Sequence, residues 1–450
     1  VDWSAPEADR REDYAGRVMT RNGIPVQHDV AWKLYRRLDG IVNEFTDYIR
    51  ERVPGFTLTA AGTHSVVYRH LGLSPDLELP ENVTLTDSGG FSTNHAALCG
   101  IVRKLGDDSS AKELLRRVIL ANKAQTTRDA AKSFLHPDRL TLLECAGVKV
   151  PKPNDYHVVD GFIHCRFSPK TLNGRFAASK PNNHGYNKAI KAIFGQPGWS
   201  FIQADADQIH IRIQANEWGI PRLCNVLNSG EDPHMAVMRA LWGDAEVAKL
   251  PGFNGWVKKP DPGSEADACR QLGKVLNYTG AYGGGAATLL AAALKPINRL
   301  GIPVMHGAGL AQFQDLLRSR KALEPEWAEH YSRVRAEWKA RGYLETSATR
   351  RRFRCKGGKV TELYNCTVLG FEADLMGAMT HGAAVKWPKY LVNQSHDSLV
   401  LHAPDEMAEE LKRELELHMN VRYIANPGFT AHNTPYTAGA SITPTLQEVK

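Results

Sequence analysis

The apolar positions recur with a helical period through "VAWKLYRRLDGIVNEFTDYIRERV", from Val30 onward, after a turn at Asn22-Gly23. "AAGTHSVVYRHLGL" predicts a short second helix that stops at a glycine. Ser92-Thr93-Asn94 ahead of an apolar run is a helix-start signal. "SSAKELLRRVILANKAQTTRDAAKSFL" predicts one long basic amphipathic helix over 110–135. Near Val148 the texture changes to loop and strand, rich in Pro, Asn and Gly. "GWSFIQADADQIHIRIQANEW" then reads as a strand running into a helix. Residues 234–345 return to helix, interrupted by the loop "LPGFNGWVKKPDPGSE". In the last ninety residues, "YLVNQSHDSLVLHAPDE" reads as a hairpin whose polar tip is His396-Asp397-Ser398. The order is helical, mixed, helical, mixed, which predicts one sheet domain built from the two mixed segments with a helical insertion between them.

At 450 residues the chain exceeds what one core usually spans, so two or three subdomains are expected. With 42% hydrophobic and 23% charged residues it has an ordinary globular balance, neither disordered nor membrane-embedded. No apolar run reaches the length of a membrane span. The seven cysteines form no C-x-x-C pair, which argues against a zinc knuckle. Their odd number, without a secretory signal, points to a reducing interior. The net charge of +7 fits either a featureless basic surface or a polyanionic partner. The basic residues do cluster: "RGYLETSATRRRFRCKGGK" holds seven lysines and arginines against one glutamate.

Four residues in "RQLGKVLNYTGAYG" carry the first chemical signal. Arg270, Lys274, Tyr278 and Tyr282 lie four apart, so a helix presents them on one face. Two cations followed by two aromatics suit a nucleoside triphosphate, the cations for phosphates and a ring for base or sugar. A solvated basic stripe running into core aromatics gives the same pattern. Asp205 ends an apolar strand and Asp397 sits at the hairpin tip. Carboxylates on adjacent strands suit a pair of divalent ions, although each aspartate alone also reads as an edge or turn residue. His396 is a candidate proton carrier or a structural contact. His234 in "GEDPHMAVM" starts a helix and is within reach of a phosphate there, or is simply a helix N-terminal residue.

Taken in order, these segments resemble the polymerase region of family A DNA polymerases, the group of bacterial repair polymerases and phage replicases. "DADQIHIR" resembles the first palm motif, usually Asp-Tyr-Ser-Gln-Ile-Glu-Leu-Arg; "RQLGKVLNYTGAYG" resembles the fingers helix. "QSHDSLVLHAPDE" resembles the last palm motif, His-Asp-Glu before an apolar strand. "IHCRFSPKTLNGRFAASKPN", "RGYLETSATRRRF" and "MTRNGIPV" resemble the primer-contacting, the "RGYVETLFGRRR" and the thumb-side segments. The resemblance implies an α+β right-hand polymerase: an antiparallel β palm, an α-helical thumb and α-helical fingers. It places an N-terminal segment and thumb at 1–150, the palm at 151–235 and 351–450, and the fingers at 236–350.

It also implies roles. Asp205 and Asp397 would hold two magnesium ions, with the Ala206 carbonyl as a further ligand and manganese as a substitute. Arg270, Lys274 and His234 would bind the triphosphate, with Gln208 nearby; Tyr278 would stack on sugar and base, and Tyr282 would close over the templating pair. Arg175 would read the primer minor groove, with Asn365 and His396 near the primer end. The partners would be primer–template DNA and deoxynucleotides, with processivity or replisome factors unnamed. The place would be the cytoplasm of a bacterium or a phage-infected host, phage replication being the favoured task.

The departures are as informative. The family's glutamate after Gln-Ile, which pairs with the fingers tyrosine and blocks a ribose 2′-OH, is His210 here. Ser398 replaces the acid after His-Asp, Leu369 a minor-groove glutamine, and Ala206 and Asp207 a Tyr-Ser pair. Tyr278, where many bacterial members have Phe, implies acceptance of dideoxynucleotides. Two alternatives follow: a polymerase with relaxed sugar selection that also takes ribonucleotides, and a non-catalytic DNA-binding relative. The chain begins at Val1 and reaches the thumb segment within about twenty residues, the room a separate domain would need being absent. Proofreading is therefore expected to be missing from this chain, being either absent or upstream.

Overall fold

The computed structural model describes residues 5–74, 81–86, 88–105, 109–152, 157–169, 171, 173–300, 309–354, 360–420 and 434–446. The chain divides into two compact units. The first comprises Val1–Asp39, Gln125–Glu217 and Val334–Lys450; the second comprises Gly40–Ala124 and Trp218–Arg333. Helices dominate, with antiparallel sheets, so the class is α+β.

The first unit is built on a four-stranded antiparallel sheet. The strand Trp199–Ala206 lies between Ala438–Thr443 and Ser398–Pro404, and Leu391–Ser395 completes the far edge. Strands from both mixed segments therefore share one sheet, as the texture predicts. Phe201, Ile202, Gln203 and Ala204 are all buried, so both faces of the central strand are covered. That explains why residues on both faces of it are buried, Gln203 among them, where a strand with one open face would alternate. The helix Ala408–His418 packs on this strand and on Ala438–Thr443. The 27-residue helix Val360–Lys386 packs on Ala5–Asn22 and on Ile209–Glu217. Phe201 and Val400 join Phe134, Ile163, Phe194 and Leu446 in one apolar core.

"RGYLETSATRRRFRCKGGK" is less of a free cationic face than its sequence suggests. Arg351 is half-buried and bridges Glu12, at 2.8 Å, and Asp374, at 2.9 Å. Gly377 makes room for this contact, because a Cβ there would lie 2.1 Å from Glu12 Oε1. Arg350 and Arg352 both pair with Glu345 while remaining mostly exposed, so those pairs add little stability.

The second unit is helical. Asn94 caps the helix His95–Lys104 with its side chain, as the Ser-Thr-Asn signal predicts. The long basic helix runs Ser110–Lys132, three residues shorter than its apolar pattern, and belongs to this unit as far as Ala124. Asp232 caps Pro233–Trp242 from two backbone amides, with Pro233 in the first turn. Met235, Met238, Cys269, Leu272, Leu276 and Phe313 form the core between these helices and Glu265–Val275. Among the described residues no helix is long and apolar enough to cross a membrane.

Candidate active site

Two groups of side chains carry the chemistry, one in each unit. In the first unit, Asp205 lies opposite Ser398 across the strand pair. Asp397 is the next residue along, at the tip between Leu391–Ser395 and Ser398–Pro404. The Ala206 amide donates to the Asp397 carbonyl at 2.9 Å, which ties the tip to the end of the Asp205 strand. Burial, then the negative charges of Asp205 and Glu372, push the Asp397 carboxyl up to about 6. A carboxyl that resists ionisation in this way beside another acid is a place where a cation is stabilising.

Two residues beside these acids hold left-handed backbone: Gln208 at φ 50° and His396 at φ 54°. For residues other than glycine this costs about 1 kcal/mol or more each, and such strain gathers at functional sites. The Gln208 carbonyl accepts from the Ile211 and Arg212 amides at 2.9 and 3.1 Å, so the turn converts strand into helix directly after the acid. Asp207 points its carboxylate to the Thr437 hydroxyl at 3.0 Å, away from a ligand role. Ser398 spends its hydroxyl on the Ser395 carbonyl at 2.9 Å. Asn365 and Leu369 lie half-buried on Val360–Lys386.

Sequence reasoning missed Glu372. This acid is fully buried on the Val360–Lys386 helix, and its Oε2 receives Arg175 Nε at 2.9 Å and the His210 Nε2 at 2.8 Å. Arg175 Nη2 also lies 2.7 Å from His210 Nε2. Burial opposes ionisation of Glu372, but the neighbouring His210 and Arg175 outweigh it and hold the carboxyl below its ordinary value. The signal was a charged residue inside the apolar run "VLGFEADLMGAM", which a helix can bury only with partners. Arg175 and His210, assigned separately from sequence, thus meet on one buried carboxylate.

In the second unit, Glu265–Val275 carries Arg270 and Lys274 on regular α-helix, and the next turn, Leu276–Gly280, is π-helical. The four-residue spacing therefore does not continue on one helical face: Tyr278 sits in the wider turn and Tyr282 follows it, its amide bonded to the Tyr278 carbonyl at 3.1 Å. π-turns of this kind are frequent at functional sites. Tyr278 still meets its partners: its ring lies 5.9 Å from Lys274 Nζ and 5.6 Å from the His234 ring. Arg270 is held by buried Asp232 at 2.8 Å. Burial works against ionisation of Asp232, and the Arg270 guanidinium and the Met235 amide hold its carboxyl below the ordinary value. Gly273 permits the close approach of the two helices, since a Cβ there would lie 2.1 Å from the His234 carbonyl oxygen. His234 itself is 2% exposed, and burial pushes its ring down to about 3, so it is neutral.

Among the described residues no cluster of three or more His, Cys, Asp or Glu is arranged around a metal position. The donor set that is present, two carboxylates and the Ala206 carbonyl, suits hard cations such as magnesium, which take oxygen ligands and keep water or substrate phosphates.

Residues 76–427 match the family model for DNA polymerase family A. The thermostable DNA polymerase I of Thermus filiformis is 29% identical over 288 residues, 58% of this chain and 30% of that protein. DNA polymerase I of Aquifex aeolicus is 26% identical over 278 residues, 58% of this chain and 43% of that protein. The matches thus span less than half the length of these relatives. The POL domain of Pol1 from M. smegmatis, solved with DNA primer-template and dNTP, superposes over 95% of this chain and 68% of that one. Its TM-score is 0.70 at 17% identity, which shows a shared fold.

Proposed function

The chain belongs to DNA polymerase family A, and from that premise we propose that it is a DNA-templated DNA polymerase that extends a primer 3′ end with deoxynucleotides. The observation that carries this reading is the pairing of Asp205 and Asp397 at the ends of adjacent strands, where the Asp205 charge adds to the cost of ionising Asp397. Asp205, Asp397 and the Ala206 carbonyl would hold two magnesium ions, which when bound supply activation of the primer hydroxyl and neutralisation of the leaving oxygen. Arg270, Lys274 and His234 bind the triphosphate; Tyr278 stacks on the sugar and base, and Tyr282 covers the templating pair. Asn365, His396 and Arg175 lie along the primer. The positive charge outside internal ion pairs gives salt-sensitive, sequence-independent grip on DNA. Thumb, palm and fingers follow the segment boundaries given by the resemblance. The test is extension of an annealed primer with magnesium and deoxynucleotides. Growth of the primer supports the reading, and retained DNA binding with no growth overturns it.

His210 raises the second reading, ribonucleotide use. Glu372 weighs against it. It returns a carboxylate to the neighbourhood where the family's glutamate is missing, and it pins the His210 ring in one place. The gate on the sugar is then a fixed imidazole. We expect the parent to prefer deoxynucleotides, and His210→Ala to lower that preference by about tenfold or more, as the loss of one close contact does. Competition between ribo- and deoxynucleotides on one template measures it. Equal preference in parent and variant would remove His210 from the gate.

A further inference from the structure

Behind His234 runs a line of polar side chains that no solvent reaches. Asn277, Arg320 and Glu324 are each 0% exposed, and none belongs to the Arg-Lys-Tyr stripe. Glu324 Oε2 receives Arg320 Nη2 at 2.7 Å, and its other oxygen receives Arg222 at 2.9 Å. Arg320 lies 4.2 Å from the centre of the Trp327 ring, which fixes the guanidinium plane. Its Nε donates to Asn277 Oδ1 at 3.0 Å. Asn277 Nδ2 lies 3.0 Å from His234 Nδ1 and 3.2 Å from the Pro233 carbonyl.

The donor and acceptor inventory leaves one solution. A guanidinium has only donors, so the Asn277 oxygen must face Arg320. The Asn277 amide nitrogen then faces His234, and the Pro233 carbonyl, an acceptor only, requires the same orientation. That nitrogen has only donors to offer, so His234 Nδ1 must accept. An imidazole with a bare Nδ1 is neutral and carries its proton on Nε2. The depth of burial, which holds the ring neutral far below neutral pH, agrees with this.

We propose that Asn277, oriented by Arg320, is a positioning residue that fixes His234 as the neutral Nε2–H tautomer, so that the ring meets the nucleotide's phosphates as a hydrogen-bond donor without charge. The phosphate clause rests on the reading of His234 as a triphosphate contact; the tautomer clause stands on the geometry alone. The arrangement separates two tasks on the triphosphate. Arg270 and Lys274 supply charge. His234 supplies a directed N–H whose protonation state does not vary over the working pH range. Asn277 occupies the π-helical turn between Lys274 and Tyr278, so the wider turn that breaks the stripe's periodicity is also what brings this amide to the ring.

The test is long-range proton–nitrogen correlation NMR on the full chain labelled with 15N-histidine at pH 7.5, with His234 assigned by its loss in His234→Gln. The parent is expected to show a bare Nδ1 and a protonated Nε2; a protonated Nδ1 in the parent overturns the proposal, and this measurement needs no variant at position 277. In Asn277→Asp the group facing the ring becomes an acceptor, and the ring's one proton is expected to leave Nε2 for Nδ1. The same variant is expected to raise the deoxynucleotide KM about tenfold with kcat little changed, the pattern of a lost ground-state contact. If the proton moves as expected and KM does not, the tautomer assignment holds and the phosphate role of His234 is what fails. If KM rises while the proton stays on Nε2, positioning through Asn277 is wrong.

Discussion

Asp205→Asn is expected to bind primer–template DNA as the parent does and to extend it about a thousandfold more slowly or worse, as expected when metal ligation worth several kcal/mol is lost. Asparagine keeps the shape and the strand register opposite Ser398 and removes only the charge. Asp397→Asn is expected to show the same loss, and the double variant little more, because the two acids act as a unit. A second readout separates this from a structural role. Asp397 is pushed up to about 6 by burial and by its acidic neighbours. A group whose folded pKa is raised disfavours the native state above that pH when no cation is bound. Asp397→Asn should therefore raise the melting temperature of the metal-free chain at pH 7.5. A structural aspartate would lower it. Parent-rate extension by either variant contradicts the assignment.

Acid is expected to unfold the chain well above the usual carboxylate range. Burial is the main cause that pushes His184 and His402 down to about 4 and His234 and His330 down to about 3. In the unfolded chain each titrates at about 6.5. The folded-state values lie below the unfolded one, so this stability is whole above pH 6.5 and is lost as pH falls towards 4 and below. Each buried histidine contributes about 1.4 kcal/mol per pH unit in that window, and the carboxyls of Glu12 and Asp397, which burial pushes up to about 8 and about 6, offset part of it by taking up protons in the folded chain. Total stabilities are on the order of 5–15 kcal/mol, so melting temperatures should fall steeply between pH 6.5 and 5. His402 stacks on Trp199 at 5.0 Å. His402→Phe keeps the ring and should flatten the profile by one proton's worth. A melting temperature independent of pH over this range would contradict the buried neutral rings.

The sequence made legible whatever depends on local pattern. The hairpin around Asp397, the strand that carries Asp205, the cap at Asn94 and the helix start near His234 all follow from short-range periodicity and turn chemistry. The single sheet drawn from two distant segments was legible in the texture as well. What stayed hidden depends on pairing across long separations. Glu372 looks like a misplaced charge until Arg175 and His210, 197 and 162 residues away, are brought to it. Asn277 looks like a helix interior until the π-turn carries it to His234, 43 residues away. The stripe at 270, 274, 278 and 282 misled in one respect. Its spacing assumes 3.6 residues per turn throughout, and the π-turn breaks that assumption after Val275.

The measurement closest to the central claim is the identity of the first nucleotide joined to a primer on four templates that differ only in the next base. With magnesium and all four deoxynucleotides present, one addition is expected on each template, complementary to that base, and none in Asp205→Asn. Additions that ignore the template, or a chain that holds the DNA and adds nothing, would contradict it.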